Sequence, residues 1–395
     1  MPKLSVKDID VGGKKVFLRV DFNVPLNAAG AITDDTRIVA SLPTIEYLIK
    51  QKAKVIIASH LGRPKGRPDS KYSLKPIADR LAELLGREVF MLSDCIGEQV
   101  QSFIGKMTGG QVVLLENLRF HAGEEENSAE FAAELAKNAE IYVDDAFGAA
   151  HRAHASITGV PSLLSVAVAG LLLGKEIDIL ESVLHKPSRP FLAIMGGAKV
   201  SDKIKVIENL LTKVDMLIIG GGLANTFLKA LGYEMGTSLV ENALVPMANE
   251  LLEIAKRRKV EVYWPADVVV AQSLLSEEGE IVEVGAIPVD KMIVDIGPKT
   301  AEQFAGIISS ARLVVWNGPL GVFENPAFSV GTYDIAVALS TSEAISIVGG
   351  GDSAAALEQL GLAEKITHIS TGGGALLEFL EGKELPGIAV LNDKA

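Results

Sequence analysis

The chain has almost no cysteine, no long apolar run and a shortage of positive charge, and each scarcity excludes something. Its 395 residues contain one cysteine, Cys95, so no internal disulfide is possible. A lone thiol of this kind reads as buried filler in a reducing compartment. No uninterrupted apolar stretch approaches the roughly 20 residues of a membrane-spanning helix, although mean hydropathy is +0.29. The opening MPKLSVKDIDVGGKKVFLRV lacks the apolar block of a secretory leader, and the expected location is the cytoplasm. A net charge of −12 leaves no broad basic face, which argues against a nucleic-acid partner. Any anion site must therefore be local.

What is present is a steady alternation of apolar β-branched runs with helical patterns. KVFLRV, KVIIAS, QVVLLE and IYVDDA come first, followed by FLAIMG, MLIIGG, VEVYW, KMIVDI, LVVWNG, ISIVGG and ITHIST. Continuous apolarity marks strands covered on both faces, so all are expected as parallel strands of α/β sheets. Between them, YSLKPIADRLAELLG predicts a helix capped by Ser73 and ended by Gly86, and ENSAEFAAELAKN one capped by Ser128. A chain of this length suggests two domains. The breaker KPSRP after a helix at 171–185 marks the boundary: 1–170 is one domain, 186–379 the other, and the helix joins them.

The two halves carry different chemistry. In the first, Arg37, Arg63, Arg119 and Arg152 each follow a strand-like run, beside Gly, His or Asn. If those strands are parallel neighbours, four guanidinium forks converge on one sheet edge, a geometry suited to phosphate and carboxylate. His60, Asp21 and Asn23 would share that edge; Asp21 also reads as a simple turn-former. HRAH at 151–154 spaces two histidines as metal ligands could be, but no third ligand at zinc spacing accompanies them. In the second half, glycine triplets follow three strands, at 220–222, 349–351 and 372–374. Each frees the backbone to turn and opens the following helix to an anion, which describes a nucleotide crevice. GGAKVSDKI places Lys199 and Lys203 on one face of an expected helix, either solvated or facing phosphate. Asn317 and Glu324 offer a ribose or base clamp. Asp352 is either a plain N-cap or a magnesium ligand.

RVDFNVP, DDTRI, SHLGRP, LLENLRF, DDAFGAAHRAHAS, GGAKVSDKI, WNGPLGVFE and GGGDSA, in this order along the whole chain, closely resemble the phosphoglycerate kinase family. The resemblance implies two Rossmann-like domains with parallel sheets joined by a hinge helix, with segment 380–395 packing back on the first. It implies reversible in-line phosphoryl transfer from 1,3-bisphosphoglycerate to MgADP, giving 3-phosphoglycerate and MgATP, with hinge closure; the expected state is a monomer. Carried over by position, phosphoglycerate is held by Asp21, Phe22, Asn23, Arg37, His60, Leu61, Gly62, Arg63, Arg119 and Arg152. The nucleotide is held by Lys203, Gly220, Gly221, Asn317, Glu324, Gly350, Gly351, Asp352 and Ser353, with Asp352 on Mg2+. Arg37 and Lys199 would flank the phosphoryl in flight. Three positions depart from the family's common pattern: Ile293 replaces a glycine, Ala375 a serine and Ser353 a threonine.

A reacting carboxylate is already ionised at pH 7, so no general base is needed and neither His60 nor His151 is required as a proton shuttle. Two other readings compete. Gly349 to Ala354 fits the G-x-G-x-x-A fingerprint of a dinucleotide-dependent oxidoreductase, but no acidic residue stands near Thr371, roughly 20 residues on, where the ribose partner belongs. A non-catalytic phosphate binder would not need two separate anion sites.

Overall fold

The computed structural model describes residues 2–394. By internal contacts the chain divides into two units, Met1–Ile179 with Glu384–Ala395, and Leu180–Lys383. The division falls within the helix Leu171–His185. No helix among the described residues is long and apolar enough to cross a membrane.

The first unit is built on β1 (Lys15–Val20), β2 (Lys54–Ala58), β3 (Phe90–Met91), β4 (Val112–Leu114), β5 (Ile141–Asp145) and β6 (Ala167–Ala169), all parallel in the order β3-β4-β2-β1-β5-β6. Val16, Leu18 and Val20 of β1 join Val55 and Ile57 of β2 and Val112 and Leu114 of β4 in one core, under Ile38, Ile45 and Leu48 of the helix Thr36–Lys50. Phe17, Ile56 and Tyr142 are buried on the opposite face. Each fully buried side chain of this size stabilises the fold by about 1.5–3 kcal/mol, which is why the runs are continuously apolar. The carboxyl-terminal segment belongs to this unit: Asn392 donates its N–H to Ala167, and Lys3 pairs with Asp393 at 2.8 Å.

The second unit contains β7 (Phe191–Met195), β8 (Met216–Ile219), β9 (Glu261–Tyr263), β10 (Asp267–Ala271), β11 (Glu280–Glu283), β12 (Met292–Ile296), β13 (Leu313–Asn317), β14 (Ile345–Gly349) and β15 (His368–Ile369). Six of them form a parallel sheet in the order β15-β14-β13-β7-β8-β9. The expectation for KMIVDI is corrected here: β12 lies in a separate sheet, β11-β10-β12, and runs antiparallel to β10. Buried apolar runs look alike in either orientation, so the pattern of KMIVDI alone does not set its direction.

Two helix starts also differ from expectation. Leu74, not Ser73, occupies the N-cap position of Lys75–Leu85; the Ser73 hydroxyl accepts from Lys75 N–H while Glu116 accepts from Leu74 N–H. Lys199 is exposed in the loop before the helix Ile204–Leu210, and Lys203 is its N-cap residue, so the two lysines do not share a helix face. Ser128 caps Ala129–Ala136 as read.

Both sheets reverse their direction of growth once, between β1 and β5 and between β7 and β13. At such points the loops diverge and leave a crevice beyond the carboxyl ends of the strands. At the first, Asp145 accepts from Leu172 N–H at 2.9 Å and Leu173 N–H at 3.1 Å, seating the start of the helix Leu171–His185. Burial pushes this carboxyl up to about 7. A Cβ at Gly170 would lie 2.1 Å from the same Asp145 oxygen. Gly170→Ala is expected to lower stability by about 1–3 kcal/mol through overpacking. An unchanged urea midpoint would contradict that tight fit.

Candidate active site

In the first unit the site grows from a cation that sits inside a strand. Arg19 is fully buried on β1, with Asp144 of β5 as its register partner. Its Nε donates to Ser156 Oγ at 2.8 Å, and a further N–H meets Val20 O. Nη2 lies 3.1 Å from His60 Nδ1. Arginine can only donate, so Nδ1 accepts and the ring proton of His60 sits on Nε2. Glu124, fully buried, accepts from both Ser156 N–H at 2.9 Å and Ser156 O–H at 2.6 Å, completing the support.

The residues expected from the sequence gather on this base unequally. Asp21 pairs with Arg37 at 2.9 Å, and Arg37 also donates to Asn23 O at 3.3 Å. Asn23 Oδ1 accepts from Gly62 N–H at 2.8 Å, and Arg119 donates to Gly62 O at the same distance. Glu125 lies 3.3 Å from Arg119 Nε. Phe22 and Leu61 are buried beneath the loops, and Phe22 N–H is held by Ser59. Arg152 is exposed but acts electrostatically on Arg119 and His154. Arg63 is exposed and has no hydrogen bond or ion pair among the described residues.

Burial, reinforced by this concentration of positive charge, keeps His60 and His154 neutral. Burial first, then the fields of Arg19, Arg119, His154 and Arg37, holds His60 well below its usual range. Burial, then Arg119, Arg19 and Arg152, takes His154 down to about 3. Neither can serve as an acid near neutrality; both present neutral donors beside guanidinium groups. Sequence reasoning missed the structural roles of Arg19, Glu124 and His154. The available signal was a charge at the end of an apolar run, as in KVFLRV.

In the second unit, Lys203 occupies the crevice between β7 and β13. Its ammonium donates to Gly196 O at 2.6 Å and Asn317 O at 2.9 Å. Burial lowers its pKa to about 8, against the opposing pull of Asp202 and Asp352. Gly318, at φ +93°, allows this approach; a Cβ there would lie 2.5 Å from the ammonium. Ser353 Oγ accepts from Gly318 N–H at 2.9 Å, joining the helix Gly351–Gln359 and its N-cap Gly350 to the same point.

A cavity of ≈ 300 Å³ opens beside it, with Gly197, Gly221 and Gly222 on one wall, Ile293 on another, and Glu324 and Asp352 at its polar margin. Its size is near the lower end for small-molecule sites, about 300–1,000 Å³. Gly220 is not part of that lining: its N–H is bonded to Met195, and a side chain would strike Leu320 at 2.4 Å. Asn317 commits its Nδ2 to Gly349 O at 3.0 Å, tying β13 to β14 rather than reaching into the cavity. Ile293 stands in the wall itself, its N–H bonded to Ser238 Oγ at 2.9 Å. Ala375 is buried. Asp352 is exposed and makes no hydrogen bond or ion pair among the described residues.

A guanidinium cluster in one unit and a lysine with a glycine-bounded cavity in the other define an α/β phosphotransferase acting on small anionic substrates. The family model described as phosphoglycerate kinase matches residues 6–383. A relative named phosphoglycerate kinase from Moorella thermoacetica is 56% identical over 395 residues, covering all of both chains. The solved phosphoglycerate kinase of Coxiella burnetii superposes with a TM-score of 0.90 at 45% identity, and that of Pyrococcus horikoshii OT3 with 0.86 at 36%, each covering 98% of both chains. The chain belongs to the phosphoglycerate kinase family. Its substrates are accordingly 3-phosphoglycerate or 1,3-bisphosphoglycerate and ADP or ATP.

The histidine states are open to direct measurement. In 15N-edited NMR spectra, His60 is expected to show no protonation step where free imidazole titrates, near about pH 6.5. A step there, absent from His60→Gln, would contradict the buried cation field.

Proposed function

We propose that the first unit's crevice holds the phosphoglycerate through Arg37, Arg63, Arg119 and Arg152, with His60, Asp21, Asn23 and the Phe22 and Leu61–Gly62 backbone setting its orientation. The observation that carries this reading is His60, held 3.1 Å from buried Arg19 and lying in the fields of Arg119 and Arg37. A carboxylate acceptor is already ionised, so the site must position and neutralise rather than move protons. The exposed Arg63 and Arg152 are free to close on an anion without breaking an internal pair.

The nucleotide is assigned to the second crevice, its phosphates beside Lys203 and the start of the helix Gly351–Gln359, where amide dipoles favour anions. Its base is assigned to the cavity bounded by Gly221, Gly222 and Ile293. The side chain of Ile293 supplies apolar contact where a glycine would supply only backbone. Gly220 and Asn317 then act as supports, and Glu324 as a ribose partner. The unpaired Asp352 carboxylate at the cavity margin suits a hard ion with oxygen ligands. Magnesium, when bound, neutralises charge on the nucleotide phosphates. Arg37 and the exposed Lys199 are assigned to the equatorial oxygens of the transferred phosphoryl, in an in-line displacement. Each anion site is built from a single chain, so a monomer suffices, and the lone buried Cys95 suits the reducing cytoplasm.

Transfer requires the substrates held by the two units to meet, so closure about the Leu171–His185 helix is part of this reading. Small-angle scattering is expected to show a smaller radius of gyration with both substrates than with either alone. No compaction would refute closure. Arg37→Ala is expected to lower turnover by about a hundredfold or more, as for loss of a transition-state donor. Full turnover would remove Arg37 from catalysis.

Lys203 gives a proton-linked test. An amine held at about 8 is roughly half deprotonated at pH 8, and an adjacent phosphate raises its pKa. MgADP binding at pH 8, where the nucleotide phosphates are fully ionised, is therefore expected to take up about half a proton. Calorimetry in buffers of different ionisation enthalpy reads this directly. Proton release, or no buffer dependence at pH 8, would place the phosphates elsewhere.

A further inference from the structure

The first unit contains a second chemical cluster that the transfer reaction does not use. Beyond the end of β3, Asp94 and Cys95 meet His121, which follows the turn Leu118–Phe120 after β4. His121 Nε2 lies 2.7 Å from Asp94 Oδ1, and one ligand atom from each of the three residues lies within 4.8 Å of the other two. Among the described residues it is the only such group. Cys95 is buried, while the His121 and Asp94 side chains are 31% and 50% exposed. The imidazole is stacked on Phe131 at 5.1 Å, and Asp94 Oδ1 is also fixed by Cys95 N–H at 2.6 Å. A cavity of ≈ 620 Å³ reaches the cluster, with Asp94, His121, Phe120 and Glu116 in its wall. Glu116 is already engaged by Ser73 O–H, Leu74 N–H and Asn117 N–H.

We propose that Asp94, Cys95 and His121 bind a divalent transition metal of the zinc type, with water from the cavity as the fourth ligand. Sulfur, imidazole nitrogen and carboxylate oxygen together form a borderline-soft set that selects such ions over magnesium or calcium. In a tetrahedral zinc site, bonds of about 2.0–2.3 Å put ligand atoms about 3.3–3.7 Å apart. The present separations therefore need small adjustments: His121 and Asp94 part slightly and the sulfur draws in. On binding, the Cys95 S–H bond breaks, its proton passes to water and the sulfur electron pair forms the metal bond; the proton that His121 Nε2 shares with Asp94 Oδ1 passes to solvent, the other ring nitrogen carries the N–H, and Nε2 gives its lone pair to the metal. With three protein ligands and one water, the site has the open form. It would fasten the loop after the edge strand β3 to the segment that carries Arg119.

The test uses the full chain in magnesium-containing buffer, with Co2+ as the probe. The expected result is one equivalent bound, with a thiolate-to-cobalt charge-transfer band that Zn2+ abolishes by displacement. Cys95→Ser is expected to remove the band. His121→Gln, at a partly exposed position, and Asp94→Asn are each expected to weaken Co2+ binding by about tenfold or more. Asp69→Asn, in the same cavity wall, is expected to leave it unchanged. No thiolate band, or affinity unaltered in both His121→Gln and Asp94→Asn, would overturn the proposal. These binding readouts do not depend on the assignment of the phosphoglycerate residues.

Discussion

In a parallel sheet every strand delivers its carboxyl end to the same edge, and the chain can leave a gap there only where the direction of strand addition reverses. Both sheets obey this constraint once. In the first unit the reversal places Arg19 of β1 against Asp144 of β5; in the second it places Lys203 between the carbonyls that follow β7 and end β13. Each crevice therefore opens over a buried positive side chain. Burying such cations is costly unless they are well hydrogen-bonded. Ser156, Val20 and His60 meet that need for Arg19, and Gly196 and Asn317 for Lys203.

The electrostatic consequence differs between the two crevices. Arg19 cannot lose its proton, and its field adds to burial and to that of Arg119 in keeping His60 and His154 neutral. Lys203 can, and burial brings it within reach of physiological pH. One crevice is a fixed cationic cradle. The other carries a charge that pH can change. This division suits a reaction in which an ionised carboxylate and a phosphoryl group exchange partners and catalysis rests on charge placement.

Much of this was legible in the sequence, because burial on both faces writes itself as continuous apolar runs. KVFLRV, KVIIAS and IYVDDA mark their strands, and the arginines and glycines that follow mark the strand ends where the crevices open. Strand direction was not legible for KMIVDI, since an antiparallel strand buried on both faces has the same pattern. Nor was the difference between Lys199 and Lys203: equal spacing predicts a shared helix face, but the helix begins only at Ile204. Gly220 and Gly222 look equivalent within one triplet, yet Leu320 packs against the first while the second lines the cavity. Arg19 is marked locally only by its charge within KVFLRV; the hydrogen bonds through Ser156 that give Arg19 and Glu124 their roles join residues distant in sequence, which no local pattern encodes.

A crystal structure of the protein with bound 3-phosphoglycerate tests the central claim most directly. The account predicts the ligand at the reversal between β1 and β5, its anionic oxygens within hydrogen-bond distance of Arg37, Arg63, Arg119 and Arg152 and of His60 Nε2–H. A ligand bound away from that strand pair, or one that leaves the four guanidinium groups pointing into solvent, would contradict it.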